Sequence, residues 1–372
     1  MRGGASLKAL QLTTDPDLTN PRLAWVETPK PSPCAGEVLI AVRACGVCGT
    51  DVHCAQAGSE GRIKYSGPAE PPVILGHEFA AEIVGLGAGA SAFDQGDLVA
   101  CEGMLGCGMC WACRCGHPNQ CAHLQMVGLS RPGAFAEYVS IPERYCWSLN
   151  ELAERVGDRQ RTCEIGALVE PTSCSYNGIF VNGGGIKPGE HVVVYGAGPV
   201  GLGAVALTRL AGAATVTVFE PQPARRALAC KMGADRALDP YDSHCPISDA
   251  IMQVTGGHGA DLQVECAGAT CELISDIERS FAPGGRLVYL GRRGERPCVA
   301  FDRIVTGGNR IIGSRGHVGG GCFSRIIALL TAGRLDLSVM ITARFPMSQA
   351  IEAIRRAAQR QDGKVMTYGS TT

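Results

Sequence analysis

The apolar and polar positions follow two different patterns along the chain. Up to about residue 170, short segments such as 37–43 and 79–84 alternate between apolar and polar residues, and connections rich in Gly and Pro separate them. Alternation with a period of two is typical of strands with one buried face. The pattern therefore predicts a β-rich, barrel-like domain in this part of the chain.

From about residue 172 onward, apolar runs alternate with helical stretches. The apolar runs are typical of buried strands and cover 191–196, 215–220, 260–267, 285–291 and 309–313. Between them, helices are predicted over 200–212, 224–233, 248–255 and 272–280. After the last strand, the pattern predicts two more helices and a short strand, over 324–332, 348–361 and 364–368. Because such alternation is typical of βαβ crossovers, we expect an α/β fold with a doubly wound parallel sheet.

The composition narrows the classes of function. A chain of 372 residues exceeds what one compact core usually holds, so about two domains are expected. Hydrophobic residues make up 45% and charged residues 19%, which favours packed interiors over disorder. The formal net charge of -1 offers no attraction to phosphate backbones or anionic membranes. We therefore expect a small-molecule ligand, and neither a nucleic acid nor a membrane as partner.

The 19 cysteines require an explanation. Disulfide frameworks of this density belong to much shorter, secreted chains. The first ten residues hold no apolar leader segment, and glycines interrupt the apolar stretch 191–207, so neither secretion nor a membrane span is expected. We therefore expect a cytoplasmic protein whose clustered cysteines bind metal.

The spacing Cys107-x2-Cys110-x2-Cys113-x7-Cys121 predicts a structural metal site. Four thiolates that are close in sequence can converge tetrahedrally on Zn2+ and leave no position open for a substrate. Two alternatives stay open at this point. The cysteines could be reduced and buried, or they could hold an iron–sulfur cluster, although nothing else in the sequence points to electron transfer.

The run Gly196-Ala197-Gly198-Pro199-Val200-Gly201 lies between a predicted strand and a predicted helix. Glycines there let the backbone approach a pyrophosphate, which the helix N-terminus also attracts. Glu220 ends the next strand about 20 residues later, where a carboxylate can bind ribose hydroxyls and would repel a 2′-phosphate. NAD is therefore expected in preference to NADP. Arg225 and Arg226 could still reach a phosphate of NADP. The alternative for the whole motif is a glycine-rich turn beside an ordinary surface acid.

Three short motifs hold further candidate metal ligands, which are Cys48, His77, Glu78 and Glu170. Each residue alone is more often a satisfied polar side chain or a solvated acid. Together they offer the S, N and O donors of a catalytic zinc, which keeps one position open for substrate. The first three could supply the ligand set, with Glu170 as a fourth ligand or as a base.

These motifs together resemble those of the medium-chain, zinc-dependent alcohol dehydrogenase superfamily, and most of all its sorbitol (polyol) dehydrogenase branch with the related cyclitol and sugar dehydrogenases. The resemblance rests on Cys-Gly-Val-Cys-Gly-Thr-Asp-Val-His at 45–53, Gly-His-Glu at 76–78, the cysteines of 107–121, Glu-Pro at 170–171 and the glycine run at 196–201. These motifs cover nearly the whole chain.

The resemblance implies a domain organisation. A GroES-like β-barrel catalytic domain would span 1–171, with a structural-zinc lobe at about 101–122. A Rossmann domain would span 172–318, and 319–372 would return to the catalytic domain. The active site would lie in the cleft between the two domains, and we expect a homodimer or a homotetramer.

The resemblance also implies roles at the metal site. Cys48 and His77 match the catalytic zinc ligands, and Glu78 matches the glutamate that follows this histidine. Glu170 stands where simple alcohol dehydrogenases have a cysteine, so the chain departs from the two-cysteine pattern. Asp51 matches the carboxylate that orients the zinc-binding histidine.

Further residues match the proton relay and the cofactor site. Thr50 and His53 correspond to the relay of the family. Gly268 and Gly291 end later strands of the sheet, where we expect backbone contacts to the cofactor. Arg315, like His317, follows the last strand and is expected at the nicotinamide or the substrate, with a simple loop as the alternative.

The sequence as a whole predicts an oxidoreductase that uses zinc and NAD. It would oxidise a secondary hydroxyl of a polyol, sugar, cyclitol or aminocyclitol to a ketone, or catalyse the reverse reduction. One rival is a redox-neutral epimerase that retains NAD, because its motifs would be identical. The other is a non-catalytic protein that binds zinc and a nucleotide, but binding alone would not require Thr50 and His53.

Overall fold

The computed structural model describes residues 6–242, 245–292 and 296–369. The predicted catalytic domain includes 1–5 and 370–372, and the predicted Rossmann domain includes 243–244 and 293–295. These four segments lie outside the described residues. Within the described ranges, no helix combines the length and the apolar character needed to cross a membrane.

The N-terminal part of the chain is built mainly from short strands, as the alternating pattern predicts. These strands are β1 (Ser6–Thr13), β2 (Arg22–Pro29), β3 (Glu37–Gly46), β4 (Val73–Ile74), β5 (Glu78–Leu86), β6 (Leu98–Cys101), β7 (Met104–Leu105), β8 (Gln125–Met126), β9 (Tyr138–Pro142) and β10 (Cys146–Ser148). The two short helices among them are α1 (Gly49–Ala55) and α2 (Trp111–Arg114). β3 pairs with β5 and β9 and is buried along most of its length, so it forms the centre of the barrel.

A helical segment follows that the alternating pattern does not predict. It consists of α3 (Asn150–Val156), α4 (Arg159–Ala167) and α5 (Val169–Tyr176). Residues 162–167 of α4 are all buried, so this helix lacks the polar face by which an amphipathic helix is recognised. The domain boundary predicted at 171/172 falls inside α5 and stays a prediction.

The second half of the chain forms the parallel sheet. Its strands are β11 (His191–Tyr195), β12 (Thr215–Phe219), β13 (Arg236–Leu238), β14 (Ala260–Glu265), β15 (Phe281–Tyr289) and β16 (Arg310–Gly313). Its helices are α6 (Pro199–Leu210), α7 (Pro223–Lys231), α8 (Ile247–Val254), α9 (Thr270–Arg279) and α10 (Phe301–Gly307).

The order of the strands is β13-β12-β11-β14-β15-β16, and every pair is parallel. This is the order of a Rossmann-type doubly wound sheet, so the predicted α/β class is confirmed. The sequence pattern predicts neither β13 nor α10. β13 has only three residues, and α10 buries none of its own, so neither carries a hydrophobic periodicity.

The chain finally returns to the barrel. Its last elements are α11 (Cys322–Thr331), β17 (Ile341–Pro346), α12 (Ala350–Ala358) and β18 (Lys364–Tyr368). β18 pairs with β3 on one side and with β17 on the other, so the C-terminal segment completes the barrel sheet. α5 packs against α6 and connects the barrel side of the molecule to the parallel sheet.

Candidate active site

A cavity of about 750 Å3 lies between the barrel and the carboxyl edge of the parallel sheet. On the barrel side, residues at the start of α1 and β5 line it, and on the sheet side the turn after β11 and the residues that follow β14, β15 and β16 line it. In doubly wound folds, ligands bind at the carboxyl ends of the strands. This cleft is therefore the candidate active site.

Cys48, His77 and Glu78 come together on the barrel side of the cleft. Cys48 immediately precedes α1, His77 immediately precedes β5, and Glu78 is the first residue of β5. One donor atom from each of the three lies within 4.8 Å of the other two. A thiol, an imidazole and a carboxylate this close together fit Zn2+, which binds sulfur, nitrogen and oxygen at about 2.0–2.3 Å. We call these three residues the cleft cluster.

Asp51 joins the two segments that carry the cleft cluster. Its buried carboxylate accepts hydrogen bonds from the backbone N–H groups of Cys48 at 2.9 Å and Gly76 at 3.3 Å. It also lies 3.6 Å from Nδ1 of His77, which has no hydrogen-bond partner in the described part of the chain. Burial alone would lower the pKa of His77, but the charges of Asp51 and Cys48 raise it well above its ordinary value. This position fits the predicted role of Asp51 in orienting the imidazole.

Glu78 has a partner that the sequence patterns do not predict. Lys364 on β18 is fully buried, and its ammonium group forms an ion pair with the carboxylate of Glu78. It also donates a hydrogen bond to the carbonyl oxygen of Val47 at 3.0 Å. The sequence does hold one signal for this partner. Lys364 lies in a strand whose other residues are mostly apolar, and lysine is almost never fully buried unless it is paired.

Glu170, on α5, lies beside the cleft cluster and is not among the described residues whose donors converge within 4.8 Å. Its Oε1 lies 3.1 Å from Nε2 of His317 and 4.0 Å from Sγ of Cys174. Burial would raise the pKa of Glu170, but the neighbouring His317 outweighs it and lowers the pKa. The carboxylate is therefore ionised at neutral pH, and its role as a ligand or a base stays a prediction.

Thr50 and His53 both lie on α1 and line the cleft. Burial lowers the pKa of His53, and the positive charges of Arg360 and Lys64 lower it further. The imidazole is therefore neutral at pH 7 and offers a lone pair for a proton. This arrangement fits a proton relay from the cleft, and the relay itself stays a prediction.

The turn after β11 has the geometry that the glycine run predicts. Gly196 has a φ of +89°, which favours glycine, and a Cβ on Gly201 would collide with the carbonyl oxygen of Gly196. Gly198 is the N-cap of α6, and Pro199 and Val200 form its first turn. Open space lies in front of Gly198, and the first N–H groups of the helix have no intrahelical partner. The turn fits a bound pyrophosphate.

Glu220 lies behind this turn, directly after β12, and does not line the cleft. Its carboxylate is 4% exposed and accepts hydrogen bonds from the backbone N–H groups of Ala197 at 2.8 Å and Gln222 at 2.9 Å. The acid thus holds the glycine turn in place. Each carboxylate oxygen has two lone pairs and can accept a further hydrogen bond, and the predicted contact with a ribose stays a prediction.

The two arginines near Glu220 are both engaged with protein groups. Nε of Arg225 donates to the carbonyl oxygen of Asp362 at 2.8 Å. Nη1 of Arg226 donates to the carbonyl oxygen of Glu220 at 2.8 Å and forms an ion pair with Asp239 at 3.0 Å. At least one nitrogen of each guanidinium group is therefore bound to a protein acceptor near Glu220.

The residues predicted at the later strand ends meet at one edge of the sheet. Gly268 lines the cleft, Gly291 lines an adjoining cavity of about 520 Å3, and Arg315 lines both. A Cβ on Gly291 would collide with the backbone nitrogen of Gly268, so this glycine permits the close packing of the two strand ends. The buried carboxylate of Glu265, which no sequence motif indicates, accepts a hydrogen bond from the N–H of Ala267 at 2.9 Å and fixes the same edge.

The four cysteines at 107–121 form a separate cluster, which we call the four-thiol lobe. One donor atom from each of Cys107, Cys110, Cys113 and Cys121 lies within 4.8 Å of the others. Backbone N–H groups point at the sulfur atoms, such as that of Cys110 at 3.3 Å from Sγ of Cys107. Hydrogen bonds from the N–H groups of Cys113 and Ala122 lower the pKa of Cys110 to about 6. These contacts stabilise the thiolate of Cys110, whereas burial raises the pKa of Cys113 to about 12. The four converging sulfur donors fit a structural zinc ion.

The barrel, the Rossmann-type sheet, the cleft cluster and the four-thiol lobe together define a class of protein, the zinc-binding dehydrogenases. Residues 34–151 match the family described as the alcohol dehydrogenase GroES-like domain, and residues 199–332 match the family described as zinc-binding dehydrogenase. The chain belongs to the zinc-dependent, medium-chain alcohol dehydrogenase superfamily and is an oxidoreductase.

Two relatives are similar to this chain over most of their length. Scyllo-inosose 3-dehydrogenase of Thermotoga maritima is 40% identical over 330 residues, which cover 86% of this chain and 82% of that protein. L-threonine 3-dehydrogenase of Caldanaerobacter subterraneus subsp. tengcongensis is 34% identical over 346 residues, which cover 92% of this chain and 93% of that protein.

Solved structures show the same fold. An alcohol dehydrogenase homologue from Thermotoga maritima matches with a TM-score of 0.92 and 35% identity, covering 98% of this chain and 100% of that chain. A zinc-binding dehydrogenase homologue from Sinorhizobium meliloti, solved with bound NADP, matches with a TM-score of 0.85 and 30% identity, with the same coverage.

These comparisons confirm the predicted superfamily, the GroES-like and Rossmann architecture and the enzymatic activity. They also confirm zinc and a nicotinamide cofactor at the level of the family. The non-catalytic alternative is wrong, and the epimerase is not favoured because both relatives are named dehydrogenases. The predicted cytoplasmic location stays a prediction.

Proposed function

We propose that this enzyme oxidises a secondary hydroxyl of a cyclitol or another polyol, sugar or aminocyclitol to a ketone, or catalyses the reverse reduction, with NAD. The observation that carries the proposal is the pair of carboxylates at the metal site, Glu78 in the cleft cluster and Glu170 beside it. A carboxylate donates less charge to a metal than a thiolate does, which keeps the metal a stronger Lewis acid for a polyhydroxylated substrate. The similarity to scyllo-inosose 3-dehydrogenase supports the same substrate class.

The residues of the cleft would have separate roles in the reaction. Cys48, His77 and Glu78 would hold the zinc ion, which supplies Lewis-acid chemistry at the substrate hydroxyl when it is bound. Bound NAD supplies the acceptor for the hydride. In the proposed relay, the hydroxyl of Thr50 accepts the proton of the substrate hydroxyl as it passes its own proton on, and the neutral imidazole of His53 is the acceptor on the way to solvent.

We propose two zinc ions per chain, because the cleft cluster and the four-thiol lobe are separate donor sets. Elemental analysis of protein purified without chelators should give a ratio of about two zinc ions per chain. A ratio of one or less would contradict the proposal.

We propose NAD as the preferred cofactor, because the charge of Glu220 lies near the place of a 2′-phosphate and both neighbouring arginines have protein partners. Because the homologue from Sinorhizobium meliloti was solved with bound NADP, the cofactor preference of this enzyme has to be measured. Wild-type kcat/KM should be higher with NAD than with NADP, and Glu220→Ala should narrow the difference. A wild-type preference for NADP would show that this argument from the carboxylate is wrong.

We propose that the protein forms a homodimer, or a homotetramer of such dimers, through the edge of the parallel sheet. β16 is the edge strand in the described part of that sheet, and Ile311 on β16 and Phe301 and Val305 on α10 are exposed there. Pairing with a second copy would cover both the strand edge and the apolar side chains. Light scattering should give at least twice the chain mass, and a monomer would contradict the proposal.

A substrate screen tests the central proposal. Purified enzyme with zinc and NAD is incubated with polyols, cyclitols and aminocyclitols, and NADH formation is followed by absorbance. We expect NADH to form with at least one of these alcohols, together with the corresponding ketone. Turnover of L-threonine alone would instead assign the chain to the activity of its second relative, and product with inverted stereochemistry but no NADH would assign it to epimerisation.

A further inference from the structure

Two arginines emerge side by side at the carboxyl edge of the parallel sheet. Arg292 follows β15 and Arg315 follows β16, and these neighbouring strands are paired with Tyr289 opposite Gly313. Both arginines line the cleft and the adjoining cavity of about 520 Å3. Within the described ranges, no carboxylate forms an ion pair with either guanidinium group. Among the described residues, neither guanidinium group has a counter-charge.

The segment that carries Arg315 is held in place by side chains from two other parts of the fold. Its carbonyl oxygen accepts a hydrogen bond from Nδ2 of Asn119 at 2.8 Å. The next carbonyl, of Gly316, accepts one from Nδ2 of Asn177 at 2.9 Å. Both asparagines are buried. Because the backbone is already ordered, Arg315 loses less conformational entropy when it binds a ligand.

The charge of the cleft is unbalanced at this end. Its carboxylates already have partners, since Glu78 pairs with Lys364 and Glu170 lies against His317. None of the described residues that line the adjoining cavity is an Asp or a Glu. The chain as a whole has a formal net charge of -1, so an excess of cations is not a general property of its surface. An anion that enters the cavity would meet two guanidinium groups that have no carboxylate partner among the described residues.

Tyr65 lies between this region and the cleft cluster. It lines the cleft, and a Cβ on Gly67 would collide with its phenol oxygen, so the glycine leaves room for the ring. Burial raises the pKa of Tyr65 to about 12, and the charges that act on it include those of Arg292, Arg315 and Cys48. Tyr65 therefore lines the same cavity as the two arginines and Cys48.

The phosphates of the cofactor belong to another part of the sheet. In this fold, the pyrophosphate binds at the turn after the first strand, here 196–201 after β11, and the adenosine ribose binds near the acid after the next strand, here Glu220 after β12. β15 and β16 lie on the other side of β11, beyond β14. The arginine pair therefore lies away from the pyrophosphate and the adenosine ribose, at the end of the sheet where the nicotinamide and the substrate are expected.

We propose that Arg292 and Arg315 form a subsite for an oxyanion of the substrate, either a phosphate ester or a carboxylate, with the hydroxyl groups of Ser66 and Ser314 as further donors. Guanidinium groups bind both oxyanions through paired N–H donors. The inference rests on the proposed polyol dehydrogenase function and narrows its substrate class to anionic polyols, such as polyol phosphates and sugar acids. The subsite orients the substrate so that a hydroxyl away from the oxyanion faces the cleft cluster.

Substrates that differ only in the anionic group test the subsite. NADH formation is measured with glucitol, glucitol 6-phosphate and gluconate, and with myo-inositol and its 1-phosphate. We expect kcat/KM to be at least about tenfold higher for an anionic member than for its neutral parent. The phosphate and carboxylate members show which oxyanion fits. Equal values for neutral and anionic members would overturn the subsite and leave the proposed polyol dehydrogenase function intact.

Phosphate binding tests the subsite independently of turnover. Inorganic phosphate is titrated by calorimetry into the zinc-containing enzyme with NADH bound. Arg292→Gln and Arg315→Gln should each weaken phosphate binding by about tenfold or more. Arg279→Gln is the control, because Arg279 is exposed at the end of α9 and lines neither cavity. It should bind phosphate as the wild type does.

Two results would overturn the assignment. Equal phosphate binding by the wild type and both arginine variants would show an unspecific ion contact. A loss of NADH affinity in both variants, with phosphate binding unchanged, would assign the arginines to the cofactor site. If no polyol of any charge is oxidised but phosphate binding depends on the two arginines, the proposed function fails and the anion subsite stands.

Discussion

The two candidate metal centres are built in opposite ways. The four-thiol lobe takes its donors from one short segment, 107–121, whereas the cleft cluster takes Cys48 from one segment and His77 and Glu78 from another. The thiols of the lobe are mostly half-buried, and backbone N–H groups stabilise their charge. The charges of the cleft are buried, and other side chains compensate them, above all Lys364 from the last strand.

This difference follows from what each centre has to do. A structural site only closes a loop around a metal, so a local run of ligands is sufficient. A catalytic site must keep a position open and lie where water is excluded, and a buried charge without a partner is costly there. The cleft therefore needs contributions from distant parts of the chain, and four sets of substitutions test this difference.

The largest expected effect is that a substitution in the cleft cluster mainly lowers activity, whereas a substitution in the four-thiol lobe mainly lowers stability. His77→Ala removes a cleft donor and should lower kcat/KM by about 1,000-fold, because a catalytic metal contributes several kcal/mol to transition-state stabilisation. Cys110→Ser removes a lobe thiol and should lower the free energy of unfolding by about 3 kcal/mol or more. Steady-state kinetics and denaturant unfolding measure the two effects.

The two variants serve as controls for each other. His77→Ala should lose zinc from one site, and its free energy of unfolding should fall less than that of Cys110→Ser, because the buried carboxylate of Asp51 keeps its two backbone hydrogen bonds. Cys110→Ser should keep a measurable turnover while it is folded. Normal stability with a selective loss of turnover in Cys110→Ser would show that the lobe is not structural.

The second effect concerns the buried pair Lys364 and Glu78. Lys364→Met should lower the free energy of unfolding of zinc-free protein by about 3–5 kcal/mol, because it leaves a buried carboxylate without a counter-charge. The loss should be smaller with zinc bound, since the metal then compensates Glu78. The double variant Lys364→Met/Glu78→Gln should recover part of the stability. An equal loss in the single and double variants would show that the lysine acts by packing alone.

The third effect concerns Glu170. Glu170→Gln keeps the size of the side chain and removes its charge. We expect kcat to fall by about tenfold or more while two zinc ions per chain are retained, because Glu170 contacts His317 and lies outside the cleft cluster. Glu170→Cys should also retain zinc and lose activity. Loss of one zinc ion in Glu170→Gln would show that the carboxylate is a ligand.

Local sequence patterns predict those parts of the molecule whose residues are close together in the sequence. The four-thiol lobe and the glycine turn at 196–201 are specified by residue spacing, and the strands of the parallel sheet are specified by apolar runs. The helices α4 and α5 escape prediction because they are buried on most sides and show no amphipathic period. Element ends also differ by a few residues, as for β15, which begins at Phe281 where the pattern predicts 285.

Local sequence patterns are equally limited in predicting the candidate active site. Spacing indicates Cys48, His77 and Glu78 as metal ligands, but no local pattern indicates that Lys364 on the last strand meets Glu78. Likewise, Glu220 has the predicted position after β12, but its hydrogen bonds to the glycine turn depend on the packing of β11 beside β12. Partners that come from distant segments require the fold.

The smallest expected effect involves another distant pair, Arg360 after α12 and His53 on α1. Burial and the charges of Arg360 and Lys64 hold the pKa of His53 below its ordinary value of 6.5. The unfolded chain therefore binds more protons on this residue than the folded chain, and stability rises with pH until His53 is neutral in both states, above about 6.5. Arg360→Gln removes one charge, so the folded-state pKa should rise toward 6.5 and this pH dependence should become shallower.

The titration of the His53 ring, followed by NMR, and the free energy of unfolding between about pH 5 and pH 7.5 measure this change. Arg355→Gln is the control, because Arg355 lies on α12 and pairs with Glu352 on the protein surface. It should leave the titration of His53 unchanged. The acid side of the activity profile should move to higher pH only in Arg360→Gln, since a proton relay needs the imidazole neutral. A profile unchanged in this variant, despite a raised pKa of His53, would show that the histidine lines the cleft without taking part in proton transfer.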